Sequence, residues 1–458
     1  MKFKEFTNTV SKGWKLAGLN FLKFFQKYYL IIAMALVTIV ALVVRYVFVL
    51  YPTGDTVAFI LGVEEPMYVA YDQPWMIQID QVGFSNFYTI NSDYSPLFLF
   101  VLAIMTLLPK GKQINVDNYY FDFYENRMIY FKTMLFVFAI AFAIGMYFLA
   151  KEITKDKTKA TFAYILATIL PSLFVNSTIW GNADIIYVTF LLYSFYFAIK
   201  GKSELAFVFF GLAFANKLQA IFILPFLVYL LFKRKLKLWN IILVPLVYFA
   251  TFLPAFFCGA SLGEPFKYLT RQFQGQSNLT YGAATIWKFF EFDNISATLR
   301  NNAPWISILG IGGVLALLLL RNPKIEKKED MFKVGIFLTM VTIFLLPRLH
   351  ERYFLIVDCL LIIYALIDKK KIYLLILMQV SSAIVYYHYL ARYGKYLFDI
   401  LGEDVVTIAS LINLFIIVIM GYDIVKIDHK PLSEEINEID AEIKQLSEPK
   451  QETQEEKI

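Results

Sequence analysis

The sequence predicts an all-α polytopic membrane protein. Hydrophobic residues make up 59% of its 458 residues and aromatic residues 18%, and the mean hydropathy is +0.58. These values lie outside the range of a soluble domain. Apolar runs of roughly the 20 residues that a helix needs to cross a bilayer recur along nearly the whole chain. Because the runs lack the strict alternation of a transmembrane β-barrel, we predict helical crossings.

The number of crossings depends on one interrupted run, residues 203–232. Polar residues around Lys217 divide it, which predicts either one long tilted helix or two half-helices. The second alternative requires that an earlier run, such as 96–109, does not cross. The total is therefore 12 or 13, and the sidedness of residues 151–202 depends on the choice. The apolar runs lie near residues 28–50, 96–109, 129–150, 160–177, 184–200, 203–232, 238–258, 304–320, 331–347, 353–367, 371–388 and 404–425.

Basic residues indicate which side of the membrane is cytoplasmic, because cytoplasmic loops hold lysine and arginine in excess. In this chain they collect near the N-terminus and at residues 233–235, 321–328 and 369–371. Residues 1–27 combine six lysines with Phe and Trp side chains, which predicts a basic amphipathic helix on the inner surface. The segment is too long for a cleaved signal peptide.

Two long loops, residues 51–95 and 259–303, are predicted to lie outside. The chain between the first two crossings carries no lysine or arginine but six acidic residues, as expected of an external loop. Residues 28–428 are predicted to form the transmembrane domain. Residues 429–458 are predicted to form a soluble acidic cytoplasmic tail, either a short amphipathic helix or solvated chain.

Three aspartates of the first external loop are candidates for chemistry: Asp55, Asp72 and Asp93. A carboxylate close to a bilayer is poorly hydrated, which makes it a better proton acceptor. The plainer interpretation is a solvated loop. Asp93, just before Tyr94 and an apolar run, could equally cap a helix.

A second group of polar residues, Arg348, His350, Glu351 and Arg352, lies between two predicted crossings on the outer side. Arginine and protonated histidine at this depth suit charge-assisted hydrogen bonds to a phosphate, and Glu351 can orient one of them. The alternative is an arginine anchor at the membrane edge. Two arginines with a histidine and a glutamate in five residues exceed what anchoring needs, so we favour a functional role.

Other polar residues interrupt apolar surroundings. Trp180-Gly181-Asn182-Ala183-Asp184 is a polar break between two crossings, and its last residue could equally cap the next helix. Lys217 and Gln219 lie deep in an apolar run, where an unpaired ammonium is costly, so we expect a bound anion or a carboxylate nearby. Asp358 is one candidate for that carboxylate.

These motifs, in this order, resemble a known family. Asp55-x-x-x-Phe59, then Trp75, then Asp93-Tyr94-Ser95-Pro96 resemble the first external loop of bacterial GT-C glycosyltransferases related to the mannosyltransferases of GPI-anchor assembly. About a dozen residues are inserted between Phe59 and Trp75, and these bring in Asp72.

The likeness continues downstream and covers roughly residues 40–365. Three blocks match the family's Trp-Gly-Gln-x-Asp, its Gly-Leu-Ala with Lys-x-Gln, and its Met-His-Glu-Arg-Tyr-Phe. They are Trp180-Gly181-Asn182-Ala183-Asp184, Gly211 to Gln219, and Leu349-His350-Glu351-Arg352-Tyr353-Phe354. Asn182 stands in place of the family's Gln, and Thr285 stands where Asn is usual.

The resemblance implies a GT-C-type helical bundle in the plasma membrane, with its active site facing outside. It implies a polyprenyl-phosphate sugar, mannose-like, as donor and a glycan or glycolipid as acceptor, with inversion at the anomeric carbon. By position Asp55 matches the family's general base, with Asp72 as second choice. The residues expected to bind substrate are Asp93, Tyr94, Trp180, Asn182, Asp184, Lys217, Gln219, Arg348, His350, Glu351, Arg352 and Asp358.

Other partners are limited by the same reasoning. The lipid bilayer is a partner throughout, and no nucleic acid is expected because the basic residues cluster between apolar runs. No Asp-x-Asp pair lies in an external loop, so we expect no metal, and the only co-substrate is the lipid-phosphate sugar.

Two other functions stay open. A flippase or transporter of lipid-linked sugars would bind the same phosphate without chemistry. Transporters usually show two related halves with breaks at matching places, and we find one broken run, residues 203–232. A polymerase or ligase that joins lipid-linked glycans would need a large external loop, for which residues 259–303 are adequate.

Overall fold

The computed structural model is built almost entirely of helices. It describes residues 2–53, 56, 75–90, 92, 94–115, 122–274, 278–291, 296–393, 402 and 404–447. The first helices along the chain are α1 (Lys2–Val47), α2 (Trp75–Val82), α3 (Pro96–Thr106), α4 (Glu125–Thr154), α5 (Lys157–Ile169), α6 (Pro171–Phe174) and α7 (Asp184–Lys200). They are followed by α8 (Ser203–Asn216), α9 (Leu224–Phe232), α10 (Leu243–Ala250), α11 (Leu253–Phe257), α12 (Glu264–Gln274), α13 (Ala297–Arg321), α14 (Lys328–Leu345), α15 (Leu355–Ile367), α16 (Ile372–Tyr393), α17 (Val405–Val425) and α18 (Leu432–Ser447).

Shorter elements join these helices. A small antiparallel pair of strands, β1 (Gln113–Asn115) and β2 (Asp122–Tyr124), precedes α4 and was not predicted. A π-helical turn covers Val175–Trp180. Turns of 3-10 helix lie at Phe84–Thr89, Leu218–Ile223, Leu238–Ile242, Ile286–Phe290 and Lys369–Lys371.

The helices form two compact units. The first unit contains residues 1–192 and 252–262, and the second contains residues 193–251 and 263–458. In the first unit, α4 and α5 pack along each other, because only two residues connect them. The second of these, Asp156, caps α5 by accepting hydrogen bonds from backbone N–H groups of its first turn.

The second unit is built around α14 and α15. Every residue from Leu355 to Ala365 in α15 is buried, and most of α14 is buried as well, so neither helix has a polar face. At Gly335 the ring of Phe195 approaches α14 so closely that an added Cβ atom would lie 2.5 Å from it. Phe195 also stacks on Phe226, with ring centroids 4.6 Å apart. The core of this unit is therefore an aromatic and aliphatic packing around two central helices.

Five helices among the described residues are long and apolar enough to cross a membrane. A sixth is added if α5 and the bent segment 171–180 count as one crossing. The predicted all-α multi-pass membrane protein is thus confirmed, whereas the total of 12 or 13 crossings is not. The five are Trp14–Val47, Glu125–Thr154, Ala297–Arg321, Lys369–Leu390 and Val405–Val425, and shorter apolar helices are Pro96–Thr106, Ser203–Asn216, Leu218–Phe232, Leu238–Ala250 and Leu355–Ile367.

Two predicted segments take a more definite form. Helix α1 is unbroken, so residues 1–27 and the first predicted crossing form one helix. Residues 203–232 are interrupted, because α8 ends at Asn216 and Lys217 has an extended backbone (φ −155°, ψ 137°) before the next helical turn. The sidedness of residues 151–202 stays a prediction.

Helices also lie within the regions predicted as loops and tail. Residues 51–95 contain α2 and the turn Phe84–Thr89. Residues 259–303 contain α12 and the start of α13. Residues 429–458 contain α18, which is the amphipathic alternative of the two weighed for the tail.

Candidate active site

The predicted catalytic aspartates, Asp55 and Asp72, and the predicted substrate-binding Asp93 lie outside the described residues. Two buried threonines close to Asp55 in sequence, Thr53 and Thr56, are described. The Thr53 N–H donates to Thr56 Oγ1 (2.8 Å), and the Thr56 hydroxyl donates back to the Thr53 carbonyl (2.9 Å). The Thr53 hydroxyl also donates to the carbonyl of Trp180. The ends of this four-residue segment are thus joined to each other and to the Trp180 motif.

Gly181 lets the two segments approach closely. Its φ is 67°, in the left-handed region that favours glycine. A Cβ atom at this position would lie 2.4 Å from the methyl carbon of Thr56 and 3.0 Å from Cε of Lys132. Any larger residue at position 181 would therefore displace Thr56 or Lys132.

Lys132, on α4, holds the same region from another side. Its side chain is buried, and Nζ donates to the carbonyl oxygens of Phe48 (3.1 Å), Tyr51 (2.6 Å) and Thr178 (3.0 Å). Three acceptors match the three N–H donors of an ammonium group. Lys132 therefore ties the end of α1 and the start of the first external loop to the π-helical turn.

Arg45, near the end of α1, makes a parallel connection. It is buried and donates to the Ser177 hydroxyl (2.8 Å) and to the Thr178 hydroxyl. Its guanidinium lies over the rings of Phe174 and Phe136, at 5.2 and 5.7 Å from their centres, where a cation is stabilised by the ring faces. Arg45 and Lys132 together connect the end of α1 and the residues after it to the turn Val175–Trp180.

Sequence reasoning did not find these anchoring residues. Lys132 lies inside the predicted crossing 129–150, and Arg45 lies inside 28–50. A cation within an apolar run is costly and commonly marks a structural or functional role. That signal was present for both residues, but it could not identify their acceptors.

Tyr94 belongs to an aromatic cluster rather than to an exposed loop. Its ring lies 5.3 Å from that of Trp75 and 4.8 Å from that of Phe98. The Ser95 hydroxyl oxygen accepts a hydrogen bond from the Phe98 N–H (3.4 Å), which makes Ser95 the N-cap of α3. The capping role weighed for Asp93 therefore belongs to Ser95.

Trp180, Asn182 and Asp184 are all buried, and the motif follows the π-helical turn. Asn182 Oδ1 accepts from the Asp184 N–H (2.9 Å). The side-chain oxygen that accepts from the first N–H group of α7 is thus that of Asn182, whereas the sequence offers Asp184 as the cap. Turns of π-helix often occur at functional sites, so the position is consistent with the predicted role in substrate binding.

In the second unit, Tyr353 joins two predicted motifs. Gln219 donates to the Tyr353 hydroxyl (3.0 Å), and Lys217 Nζ lies 5.1 Å from the centre of the same ring. The Arg352 guanidinium lies 5.8 Å from it. The break after α8 therefore brings Lys217 and Gln219 against the turn that carries Arg352.

Residues 279–281, between α12 and α13, hold this turn. The Arg348 N–H donates to the Leu279 carbonyl (2.7 Å), and the Tyr281 N–H donates to the Leu349 carbonyl (2.8 Å). The Tyr281 ring stacks on the His350 imidazole, with centroids 5.1 Å apart and an interplanar angle of 25°. The imidazole is thus oriented by a residue that the sequence did not single out.

Arg348 has an unusual backbone. Its φ is 62°, in the left-handed region that non-glycine residues rarely adopt. Its guanidinium makes a long 3.5 Å hydrogen bond to the Arg300 carbonyl. Strained backbone conformations of this kind cluster at functional sites, so the conformation of Arg348 favours a functional role for its side chain.

Glu351 is the buried carboxylate of the turn. Its Oε1 accepts from Arg352 (2.6 Å), and its Oε2 lies 3.8 Å from His350 Nδ1. Burial raises the pKa of Glu351, but the Arg352 guanidinium and the interaction with His350 lower it by more, so the net pKa lies below its ordinary value. Glu351 is therefore ionised, and it leaves the four basic residues Lys217, Arg348, His350 and Arg352 with a net positive charge.

Asp358 follows the turn, on α15, and is buried. Its carboxylate accepts hydrogen bonds from Ser382 (2.9 Å to each oxygen) and Gln379 (3.1 Å) of α16. These bonds fix α15 against α16. The predicted ion pair with Lys217 stays a prediction.

The described residues contain no group of three or more His, Cys, Asp or Glu that could hold a metal ion. The dominant chemistry in the second unit is cationic instead. The expectation of a metal-free reaction stays a prediction.

Comparison with known families decides the class of the protein. The sequence profile of glycosyltransferase family 87 matches residues 93–347, more than half of the chain. The chain belongs to glycosyltransferase family 87. As a family 87 member with several apolar helices it is a membrane glycosyltransferase, which confirms the predicted class. A search of curated proteins gives no match.

The family 87 match includes the Trp180 motif, Lys217 and Gln219, and it ends just before Arg348. Asp55 precedes the matched region. The match supports a GT-C-like enzyme in general. The narrower likeness to the mannosyltransferases of GPI-anchor assembly is not confirmed by it.

Proposed function

We propose that this family 87 member transfers a mannose-like hexose from a polyprenyl-phosphate carrier to a glycan or glycolipid at the outer face of the plasma membrane. The observation that carries the proposal is a group of basic residues at the turn after α14. Lys217, His350 and Arg352 lie around the ring of Tyr353, and Arg348 belongs to the same turn. A phosphate is the ligand that such a set of donors fits best.

The electrostatic task of the enzyme follows from its leaving group. When the bond between the anomeric carbon and the phosphate oxygen breaks, the electron pair stays with the oxygen and negative charge increases on the lipid phosphate. Preorganised cations and N–H donors stabilise that charge most in the transition state. We assign this role to His350, Arg348 and Arg352, with Lys217 as a further donor.

Asp55 is the proposed general base. Its carboxylate accepts the proton of the acceptor hydroxyl as that oxygen attacks the anomeric carbon from the face opposite the phosphate, which inverts the configuration. Asp72 is the second choice. The hydrogen bonds at Thr53 and Thr56 support the first, since they anchor the chain on either side of Asp55 and would limit its movement.

The test is transfer of radiolabelled hexose from synthetic polyprenyl-phosphate mannose and glucose to acceptors extracted from membranes. Asp55→Asn is expected to lower transfer by roughly 10²–10⁴-fold, the contribution of a general base, with donor binding retained. Asp440→Asn, on an exposed part of α18, is the control and should leave transfer unchanged.

Other outcomes point to other functions. Loss of transfer in Asp72→Asn but not in Asp55→Asn would make Asp72 the base. Donor binding by wild type without turnover would favour a flippase or transporter of lipid-linked sugars. Transfer of whole lipid-linked glycans in place of single hexoses would favour a polymerase or ligase.

A further inference from the structure

Helix α18 binds the second unit through acidic side chains. Glu435 accepts hydrogen bonds from Lys233 (3.1 Å) and from Asn322. Glu442 pairs with Arg234. Along the helix between them, Glu438 pairs with Lys430 (2.5 Å). One side of an acidic helix is therefore neutralised by basic residues.

These contacts fix α18 at the ends of three helices. Lys233 directly follows α9, and Asn322 directly follows α13. Only six residues separate the end of α17 at Val425 from the start of α18 at Leu432. Backbone hydrogen bonds join this connection to the chain after α13, from the Lys324 N–H to Asp428 O (2.7 Å) and from the Lys430 N–H to Asn322 O (3.0 Å).

Those helix ends belong to segments suited to lipid. Helices α13 and α17 are both long and apolar enough to cross a membrane. Near their ends, Leu317, Leu320, Tyr422 and Val425 are each more than half exposed, as expected of side chains that face acyl chains. Because α18 begins where these crossings end, it lies at the level of a membrane surface.

A second side of α18 is apolar and exposed. Leu432, Ile436 and Ile443 have exposed fractions of 45%, 48% and 58%. At about 100° per residue these three positions fall within about 40° of one another, and roughly 90° around the helix from Glu435 and Glu442. The apolar side is thus perpendicular to the side that the basic residues hold.

We propose that α18 is an interfacial helix whose apolar side enters the bilayer surface next to the basic loops, in the leaflet that the positive-inside rule makes the cytoplasmic one. Leu432, Ile436 and Ile443 enter the boundary between headgroups and acyl chains, as the apolar side of such helices does. The tail that composition predicts to be soluble, residues 429–458, would then contain a membrane-bound helix, α18.

The ion pairs explain how an acidic helix tolerates this position. Anionic lipid headgroups repel glutamates. Lys233, Lys430 and Arg234 neutralise three of the glutamates of α18. The basic residues that the inner surface attracts therefore hold the helix there.

A protein partner fits the apolar side less well than lipid does. Stable protein interfaces bury about 800 Å² on each partner, and the apolar side of α18 offers three large side chains. Insertion of a helix into lipid has no such minimum, since its affinity grows with each side chain buried. A second copy of the chain is therefore an outcome that the experiment must separate from the bilayer.

The experiment uses the full-length protein in vesicles of phosphatidylcholine and phosphatidylglycerol. An environment-sensitive fluorescent amino acid replaces Ile443 in one variant and Asn437, an exposed residue away from the apolar side, in a matched control. We expect the probe at position 443 to emit at shorter wavelength and to be quenched severalfold more strongly by lipids that carry a nitroxide near the headgroup.

Either of two results would overturn the proposal. Equal, weak quenching at both positions would place the apolar side of α18 in water. A shielded probe at position 443 that the nitroxide lipids do not quench would mean that protein covers this side, and cross-linking between copies would then identify a dimer. Neither result depends on transfer activity, so the outcome is independent of the proposed function.

Discussion

Two sets of basic residues in this protein differ in their hydrogen-bond partners. The first set is Arg45 and Lys132, and the second set is Lys217, Arg348, His350 and Arg352. In the first unit, Lys132 donates all three of its hydrogen bonds to carbonyl oxygens, and Arg45 donates to two hydroxyl groups. In the second unit, the Arg348 guanidinium makes one long hydrogen bond to a carbonyl oxygen of the described residues, and the His350 side chain is 25% exposed. Each N–H donor of the Lys132 ammonium thus has an acceptor within the protein, whereas the second set includes a partly exposed imidazole.

The difference shows that a cation in an apolar run does not by itself identify a binding site. Its hydrogen-bond donors have to be counted against the acceptors around it. By that count Lys132 holds the chain that follows α1 in place, and the role that we propose for the second set is to bind phosphate. The following variants test that division.

Lys132→Met is expected to have the largest effect on stability. Methionine keeps the length of the side chain but leaves the carbonyls of Phe48, Tyr51 and Thr178 without their donor. Each buried acceptor left unsatisfied costs about 1–3 kcal/mol, so the protein should unfold at a clearly lower temperature in detergent. Lys151→Met, an exposed position on the same helix, is the control. Normal unfolding with lost donor binding would instead move Lys132 into the ligand-binding set.

His350→Gln tests the second set. We expect donor binding to weaken by roughly 10–100-fold, because a hydrogen bond to a charged group contributes about 1.5–3 kcal/mol, while the unfolding temperature stays close to that of wild type. Equilibrium binding of radiolabelled donor measures the first quantity, and His429→Gln, at an exposed histidine, is the matched control. A large fall in unfolding temperature without weaker donor binding would make the second set structural as well.

Gly181→Ala separates the close approach of Thr56 from ordinary backbone strain. Gly201 also has a positive φ, at 76°, but an added Cβ atom there meets nothing within 4 Å. Both alanine variants share the strain of the left-handed region, and only the one at position 181 displaces Thr56, the residue that follows Asp55 in the sequence. We expect transfer to fall roughly tenfold more in Gly181→Ala than in Gly201→Ala, as small misplacements of reacting groups do. Equal activities would remove the anchoring role.

The smallest expected effect is the release of α18 by acid. Carboxylates of α18 pair with Lys233, Arg234 and Lys430, and these pairs are lost when the carboxylates are protonated. Burial raises the pKa of Glu435, but Lys233, Asn322 and Lys430 lower it more, so its net pKa is below the ordinary 4.5. The contact therefore stabilises the docked helix fully above about pH 4.5 and loses this contribution as pH falls through the lowered pKa. Anisotropy of a probe at Ile443 should decrease over that range. In Glu435→Gln it should be low at neutral pH and change less with acid.

The positions of the helices were largely predictable from the sequence. The predicted runs 371–388 and 404–425 agree with α16 and α17 to within a few residues, because apolar composition over the length of a crossing marks them without further context. The continuity of α1 was missed, since the lysines of residues 1–27 were interpreted as a separate surface helix. The strands β1 and β2 lie in a short polar connection that carries no clear strand pattern.

The partners of the polar side chains were not predictable in the same way. The three acceptors of Lys132 lie 84, 81 and 46 residues from it in sequence, and one sequence contains no signal for such pairings. The contact of Gln219 with Tyr353 spans 134 residues. Both motifs were singled out from their composition, and a break near Lys217 was one of two predicted alternatives, but the residues that meet there depend on the fold.

The left-handed backbone of Arg348 sets stability and activity in opposition at one position. An L-residue in this region costs about 1–2 kcal/mol, from which glycine is exempt. Arg348→Gly would relieve the strain and also remove a cation from the set that we propose to bind phosphate. Selection for heat resistance alone would therefore favour glycine at position 348, and selection for sugar transfer would keep arginine, as expected where an enzyme sacrifices stability for its chemistry.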